Sequence, residues 1–315
     1  MHAISIHQFG GLNELIYNKQ PRPQLKPGEV LVKTSAVGVN PIDWKTCSGS
    51  GASGFIEEFP FIPGWEFSGV VADPGDTGFN EGDAVFGMIR FPQPAGCYAE
   101  YIAAPAEQIS RLPDAVDLVM AGGLATASLT AWQALFDKGG LTAGQQVLVL
   151  GAAGGVGHLA VQLARWAGAH VTGTASLHNH EFLAELGCEH AIDYRNQSLN
   201  EYTNTMDLII DCVGGETGIS ALPCLKPEGV LVTLPSVTKE QVIAAGAAQR
   251  RRVEPILCQP SAEQLTKIAE LVADEDLKLH IGETFPLEKA AEAFELSQSG
   301  HVCGKLILTF NNGQV

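Results

Sequence analysis

Long hydrophobic runs are missing from this chain of 315 residues: no stretch approaches the ~18 apolar residues of a membrane span, and the N-terminus has no basic region followed by an apolar one. A cytoplasmic protein with no membrane partner is expected. Basic charge is scarce too. The chain carries 19 Lys and Arg against 35 Asp and Glu, a formal net charge of −16. Such a surface repels phosphate backbones, which excludes nucleic acid as a main partner. Paired cysteines are absent: Cys47, Cys97, Cys188, Cys212, Cys224, Cys258 and Cys303 are scattered singly, with no C-x-x-C, so reduced thiols are expected. No internal repeat or low-complexity linker interrupts the chain.

What remains is 45% hydrophobic and 17% charged, enough to bury a large core and long enough for two domains. The most informative stretch runs from Gln146 to Ala164. Five residues of buried-strand character, Gln146–Leu150, enter the glycine-rich turn Gly151-Ala152-Ala153-Gly154-Gly155-Val156-Gly157. An apolar i, i+3, i+4 pattern (Val156, Leu159, Ala160, Leu163, Ala164) then opens a helix. Such a turn lets the backbone approach a pyrophosphate, and the helix N-terminus offers it free N–H groups and a positive dipole end. A tight βα turn in another kind of α/β protein is the alternative. A second strand at 170–174 completes a βαβ unit, which favours a dinucleotide. An NAD-preferring site would end that strand in Asp or Glu to hold the ribose 2′-OH. Here it ends Ala175-Ser176-Leu177-His178-Asn179-His180, donors that suit a 2′-phosphate, so NADPH is the expected cofactor.

The first part of the chain is β-rich: an alternating strand at 1–7, a long segment at 28–40 that stops at Asn40-Pro41, and shorter pieces at 66–71, 83–87 and 97–102. Together they predict a small barrel. After a helical stretch at 121–136, α/β alternation continues with strands at Met206–Asp211 and 229–234 and a helix at Ala262–Ala273. A segment at 278–285, an amphipathic helix at 287–297 and a strand at 305–310 close the chain, and the tail 311–315 is expected to fray. The basic run Arg250-Arg251-Arg252 is either a solvated turn before a strand or a group near a phosphate or acidic ligand.

The segment 28–40, Pro63-Gly64-x-Glu66, Gly82-Asp83-x-Val85, Tyr98-Ala99-Glu100-Tyr101 and the glycine turn occur in this order, and over residues 1–310 the chain resembles the medium-chain dehydrogenase/reductase superfamily. Within it, the chain is similar to the zinc-independent quinone oxidoreductase, or zeta-crystallin-like, branch. The resemblance implies an α/β protein with a GroES-like β-barrel catalytic domain (residues 1–121 and 280–315) and an inserted Rossmann domain, a doubly wound parallel sheet, at residues 122–279. Zinc members carry Cys, His and Cys at the positions of Asn40, Trp65 and Thr126, and a four-cysteine lobe is missing between Gly87 and Ala121, so no metal is assigned. His178 and His180 are read as polar loop or phosphate donors rather than as metal ligands.

The resemblance also implies residue roles. Asn40 would hydrogen-bond the nicotinamide ribose and face the substrate, and Thr130 would lie near the nicotinamide. Gly151, Gly154, Gly155, Val156 and Gly157 would meet the pyrophosphate. Ser176 and Tyr194 would contact the 2′-phosphate, with His178 and Asn179 where the branch often has Lys or Arg. Val213 and Gly214 would line the cofactor crevice, Leu234 and Ser236 would present backbone groups to the carboxamide, and Lys305 counts among the cofactor contacts. Lys45 or Tyr98 would donate a hydrogen bond to the substrate oxygen, unless they serve only as polar surface. Phe55, Phe59, Phe61 and Trp65 wall an apolar cleft or pack the core.

Without zinc or an evident general base, alcohol oxidation is disfavoured. A quinone, or a C=C bond conjugated to a carbonyl, is already electrophilic and needs only one or two donors for the developing oxyanion. The expected activity is therefore NADPH-dependent reduction of a small-molecule quinone or enone. An enoyl-thioester reductase of the same superfamily and a non-catalytic NADPH-binding protein are the alternatives. A homodimer is expected, paired along an edge strand at 253–258.

Overall fold

The computed structural model describes residues 1–310, to which every count and absence below refers; the tail expected to fray lies outside the described residues. The chain divides into two compact units. The first comprises Met1–Leu129, Gln259–Glu275 and the stretch from Ile281 onward, and the second Thr130–Cys258 with Asp276–His280.

In the first unit, β1 (His2–Ser5) pairs antiparallel with β2 (Ile16–Lys19). The long β3 (Glu29–Val39) ends where Pro41 occupies the first position of α1 (Pro41–Cys47). Proline there loses no helical hydrogen bond, and it keeps the preceding Asn40 extended, at φ −123° and ψ 150°. Four more strands follow: β4 (Glu66–Asp73), β5 (Ala84–Met88), β6 (Tyr101–Pro105) and β7 (Ile109–Arg111). Asp117 caps α2 (Leu118–Ala121) by accepting from the Met120 N–H at 2.8 Å. The helix α3 (Ala125–Trp132) widens into a π-helical turn, Gln133–Lys138, and the boundary between units falls inside it.

The second unit is a six-stranded parallel sheet of β8 (Gln146–Leu150), β9 (His170–Ala175), β10 (His190–Asp193), β11 (Met206–Asp211), β12 (Leu225–Thr233) and β13 (Arg252–Pro255). Its order is β10-β9-β8-β11-β12-β13, so the chain winds outward from β8 to one edge, returns, and winds to the other. Four of the five crossovers contain α4 (Gly157–Trp166), α5 (His180–Glu185), α6 (Gly215–Ala221) and α7 (Lys239–Ala248), and the return from β10 to β11 carries only a short 3-10 turn, Leu199–Tyr202. The strands β8 and β11, buried on both faces, need the continuous apolar runs that made them legible.

The chain returns to the first unit with α8 (Ala262–Ala273), whose Thr266 hydroxyl lies 2.9 Å from that of Ser110 on β7. There follow β14 (Ile281–Pro286), α9 (Ala290–Gln298) and β15 (Lys305–Thr309). These complete a seven-stranded sheet ordered β14-β15-β3-β4-β5-β7, with β6 paired to β3 as well. It surrounds a core that includes Val32, Phe67, Tyr98, Ile102, Phe294 and Leu308. Residues 122–129 and 259–275 thus group with the first unit rather than with the Rossmann sheet. The hydrogen bonds of Thr126 to Glu66 and of Thr266 to Ser110 hold them there. The short segment 276–280 stays with the second unit, where the Gln162 side chain binds both the N–H and the C=O of Lys278.

Candidate active site

The glycine turn lies at the carboxyl end of β8, beside the reversal in strand order that makes a switch point. Gly151 adopts φ +69°, which opens the loop. A Cβ on Gly157 would run into the Gly151 carbonyl and lie 2.8 Å from Ala152 Cα. Only glycine lets the N-terminus of α4 press this closely on the strand end. The loop is braced by the Gly151 N–H to Thr174 Oγ1 (3.1 Å) and the Gly154 N–H to Gly151 O (3.0 Å). His158, fully buried, adds a third brace. Its Nδ1 is 2.9 Å from Gly154 O, and its Nε2 accepts the His280 N–H at 3.2 Å.

The neighbouring strand end carries the expected polar cluster. Ser176 is buried, with its hydroxyl 3.3 Å from His178 Nε2 and accepting from Asn179 Nδ2 at 3.3 Å. Because β10 runs parallel to β9 with Asp193 opposite Ala175, the residues after β10 come out beside this cluster. They are Tyr194, 53% exposed, and Arg195, whose guanidinium lies 5.6 Å from the Tyr194 ring centre. Arg195 is a cation that sequence reasoning missed, because it looked for one only at the end of the second strand. Past β11, Asp211 shapes the loop. Its Oδ1 accepts from the N–H groups of Val213 (3.1 Å) and Gly214 (2.7 Å), and its Oδ2 accepts from the Thr233 hydroxyl (3.0 Å). Leu234 and the exposed Ser236 follow the end of β12. Nε2 of His180 and Oγ1 of Thr238 are buried in this unit without a hydrogen-bond partner. Backbone N–H groups at a helix start, hydroxyls, imidazoles and a guanidinium are a donor set that fits a phosphorylated dinucleotide.

In the first unit two of the predicted residues, Asn40 and Lys305, meet. Asn40 Nδ2 donates to Glu66 Oε1 (2.6 Å), its Oδ1 accepts from Lys305 Nζ (2.6 Å), and its backbone N–H donates to Asp43 Oδ2 (2.7 Å). Glu66 and Lys305 are almost wholly buried and pair at 2.9 Å. The other Glu66 oxygen accepts the Thr126 N–H at 2.7 Å.

This arrangement has relatives. Residues 26–114 match the family model of the alcohol dehydrogenase GroES-like domain, and residues 186–308 match that of the zinc-binding dehydrogenases. A chloroplast envelope quinone oxidoreductase homolog of Arabidopsis thaliana is 32% identical over 323 residues, covering 98% of both chains. The solved quinone oxidoreductase of Coxiella burnetii is 38% identical, with a TM-score of 0.94 over 98% of this chain and 99% of that one. The chain belongs to the quinone oxidoreductase branch of the medium-chain dehydrogenase/reductase superfamily. A mycobacterial member solved in complex with NADPH is 27% identical, with a TM-score of 0.84 over 98% of this chain and 99% of that one.

At the three places that the resemblance matches to ligands of zinc members, this chain has other contacts. Asn40 and Thr126 bind Glu66, and Trp65 is buried with its Nε1–H donating to Gln93 O at 2.8 Å. Tyr98 is corrected. It is not placed to donate to a substrate, because it is fully buried beneath α9, 5.9 Å from the Phe294 ring. Its hydroxyl donates to Asp43 Oδ2 at 2.9 Å. Burial and the Asp43 carboxylate push the phenol well above its ordinary range. Lys45 is half-buried, its ammonium 5.3 Å from the Trp44 ring, and burial lowers its pKa. The aromatic set divides: Phe61 and Trp65 are core, whereas Phe55 and Phe59 are exposed, Phe59 edge-on to Phe9 at 5.2 Å. Lys305, expected among the cofactor contacts, has its ammonium beneath Asn40, donating also to Val39 O at 3.2 Å. Thr130 is partly buried in α3.

Proposed function

We propose that this protein uses NADPH to reduce quinones, or the C=C bond of enones and alkenals, by two electrons and without a metal. When bound, NADPH supplies the hydride. The chain's own residues orient and polarise. The turn Gly151–Gly157 and the start of α4 hold the pyrophosphate, aided by Val213 and Gly214. Ser176, His178, Asn179, Tyr194 and Arg195 hold the 2′-phosphate, with no carboxylate at the end of β9 to repel it. Leu234 and Ser236 present backbone groups to the carboxamide, near Thr130. Asn40 hydrogen-bonds the nicotinamide ribose and faces the substrate, and Lys45 donates to the substrate oxygen as charge develops there.

The observation that carries the metal-free reading is the Lys305 ammonium 2.6 Å from Asn40 Oδ1 and 2.9 Å from Glu66 Oε1. A buried cation already neutralises the acid at this place, and it would repel a dication. Alcohol oxidation, which needs a stabilised alkoxide, is then disfavoured, while an already electrophilic acceptor is suited. The enoyl-thioester alternative would rest on Arg250–Arg252 as a landing site. Two of those guanidiniums are engaged, Arg251 with Asn204 at 2.6 Å and Arg252 with Glu254 at 3.1 Å.

The protein is further proposed to be a homodimer paired through β13, the edge strand of the parallel sheet. The activity is tested with a panel of quinones, 2-alkenals, enones and enoyl thioesters against NADPH and NADH. Turnover of quinones or enones with NADPH is expected; oxidation of alcohols alone, or NADPH binding with no turnover at all, would overturn the proposal.

A further inference from the structure

We propose that Lys305 is a positioning residue: through its contacts with Asn40 and Glu66 it fixes which way the Asn40 carboxamide faces. This rests on the reading of Asn40 as the residue that meets ribose and substrate. A carboxamide has two nearly isosteric orientations that exchange its oxygen and its NH2. Here only one is compatible with the surroundings. Oδ1 faces the Lys305 ammonium at 2.6 Å and Nδ2 faces Glu66 Oε1 at 2.6 Å. Turning the group over would set NH2 against an ammonium and oxygen against a carboxylate, in a site where both charged side chains are at most 3% exposed. One N–H of Nδ2 and one lone pair of Oδ1 then remain for other partners, always on the same side.

The surroundings are built for this pair. A Cβ on Gly38 would collide with the Glu66 carboxylate, so glycine on β3 makes the space the acid fills. The Thr126 N–H holds the second Glu66 oxygen at 2.7 Å. The three ammonium protons of Lys305 match three acceptors: Val39 O, Asn40 Oδ1 and Glu66 Oε1. The Val39 carbonyl and the Thr126 N–H anchor the ion pair to the backbone, and Asn40 is the side chain to which both of its members hydrogen-bond. The position of Asn40 belongs to a metal ligand in zinc members of the superfamily; here an ammonium supplies the buried positive charge and the amide supplies the donor.

The obvious variant, Lys305→Met, strands the Glu66 carboxylate in the core and can fail to fold. The double variant Glu66→Gln/Lys305→Met removes both charges at similar volume and is the one to compare. It should keep a wild-type circular dichroism spectrum and a Tm within a few degrees. With NADPH and the best acceptor found, its kcat should fall roughly ten- to a hundredfold, with KM for the acceptor nearly unchanged. The primary isotope effect from NADPH deuterated at C4 should rise as the chemical step slows. Adding Asn40→Ala should cost little more, because all three act through one amide.

A second readout needs no turnover. In protein labelled with 15N-asparagine, the Asn40 Nδ2 proton bonded to Glu66 should exchange slowly in wild type and quickly in the double variant. A folded double variant with wild-type kcat and isotope effect, a full additional loss on Asn40→Ala, or fast exchange in wild type would each overturn the role of Lys305. A wild-type enzyme that reduces neither quinones nor enones would overturn the proposed function instead, and amide exchange would still decide what Lys305 does.

Discussion

Tyr98 donates its hydroxyl proton to Asp43 at 2.9 Å, and both side chains are completely buried in the first unit. The same Asp43 oxygen accepts the Asn40 N–H at 2.7 Å, while its other oxygen has no hydrogen-bond partner. Burial dominates over these two hydrogen bonds and raises the Asp43 pKa from 3.8 to about 7.

The pH dependence of stability follows from that shift. Below pH ~4 the carboxyl is protonated in both folded and unfolded chains. As pH rises, the unfolded chain ionises first, so stability is lost progressively until the folded carboxyl titrates near 7 and is flat above it. Asp43→Asn removes this loss. Guanidinium unfolding of both proteins at pH 5 and pH 8 should show the variant gaining roughly 2–3 kcal/mol relative to wild type between the two. Parallel changes would mean that Asp43 is ionised throughout.

Tyr98→Phe separates structure from catalysis. It deletes one buried hydrogen bond to an acid, a loss of about 1.5–3 kcal/mol, and should lower Tm without altering kcat. A large fall in kcat at unchanged KM would restore Tyr98 as a group acting on the substrate.

Cofactor choice is testable at Ser176. Ser176→Asp sets a carboxylate at the end of β9 and should weaken NADPH far more than NADH; Ser176→Ala should cost NADPH about one to two decades. Arg195→Ala should resemble Ser176→Ala. Fluorescence titration of both cofactors decides the matter, and equal affinities unmoved by Ser176→Asp would show that the 2′-phosphate lies elsewhere.

Gly157→Ala probes the close approach at the glycine turn. With backbone on the receiving side, the added methyl cannot be absorbed by a side-chain rotation, and a cost of about 1–3 kcal/mol is expected. NADPH affinity should fall with it. Unchanged Tm and affinity would contradict the tight packing of α4 on the strand end.

Metal content and assembly complete the set. Elemental analysis should find no stoichiometric zinc and chelators should leave activity intact; one tightly bound zinc per chain would sink the metal-free proposal. Light scattering should report a dimer. If two copies of β13 pair about a two-fold axis at Val253, Arg252 of each meets Glu254 of the other, so Arg252→Glu should raise the dimer dissociation constant, and a monomeric wild type would refute the pairing.

What the sequence determined by itself is local in origin. The runs at Gln146–Leu150 and Met206–Asp211 and the helical period at Ala262–Ala273 coincide with their elements because burial imposes its periodicity directly on neighbouring residues. The glycine turn was legible because the absence of a Cβ is itself the message. Weakly patterned elements escaped: β2, mostly exposed, and β7, only three residues long. The burial of Tyr98 was not legible either: residues 97–102 read as one strand, whereas the strand begins at Tyr101 and the ring before it is fully buried. Only the tertiary structure brought the chain that carries Arg195 out next to the strand end that carries Ser176, through the parallel pairing of β9 and β10. It alone carried Lys305 across 265 residues of chain to Asn40, through the antiparallel pairing of β15 with β3. A lone lysine or glutamate has no periodicity to betray its partner; its role is fixed when sheet registry buries it, and a buried charge persists only where an opposite charge and hydrogen bonds meet it.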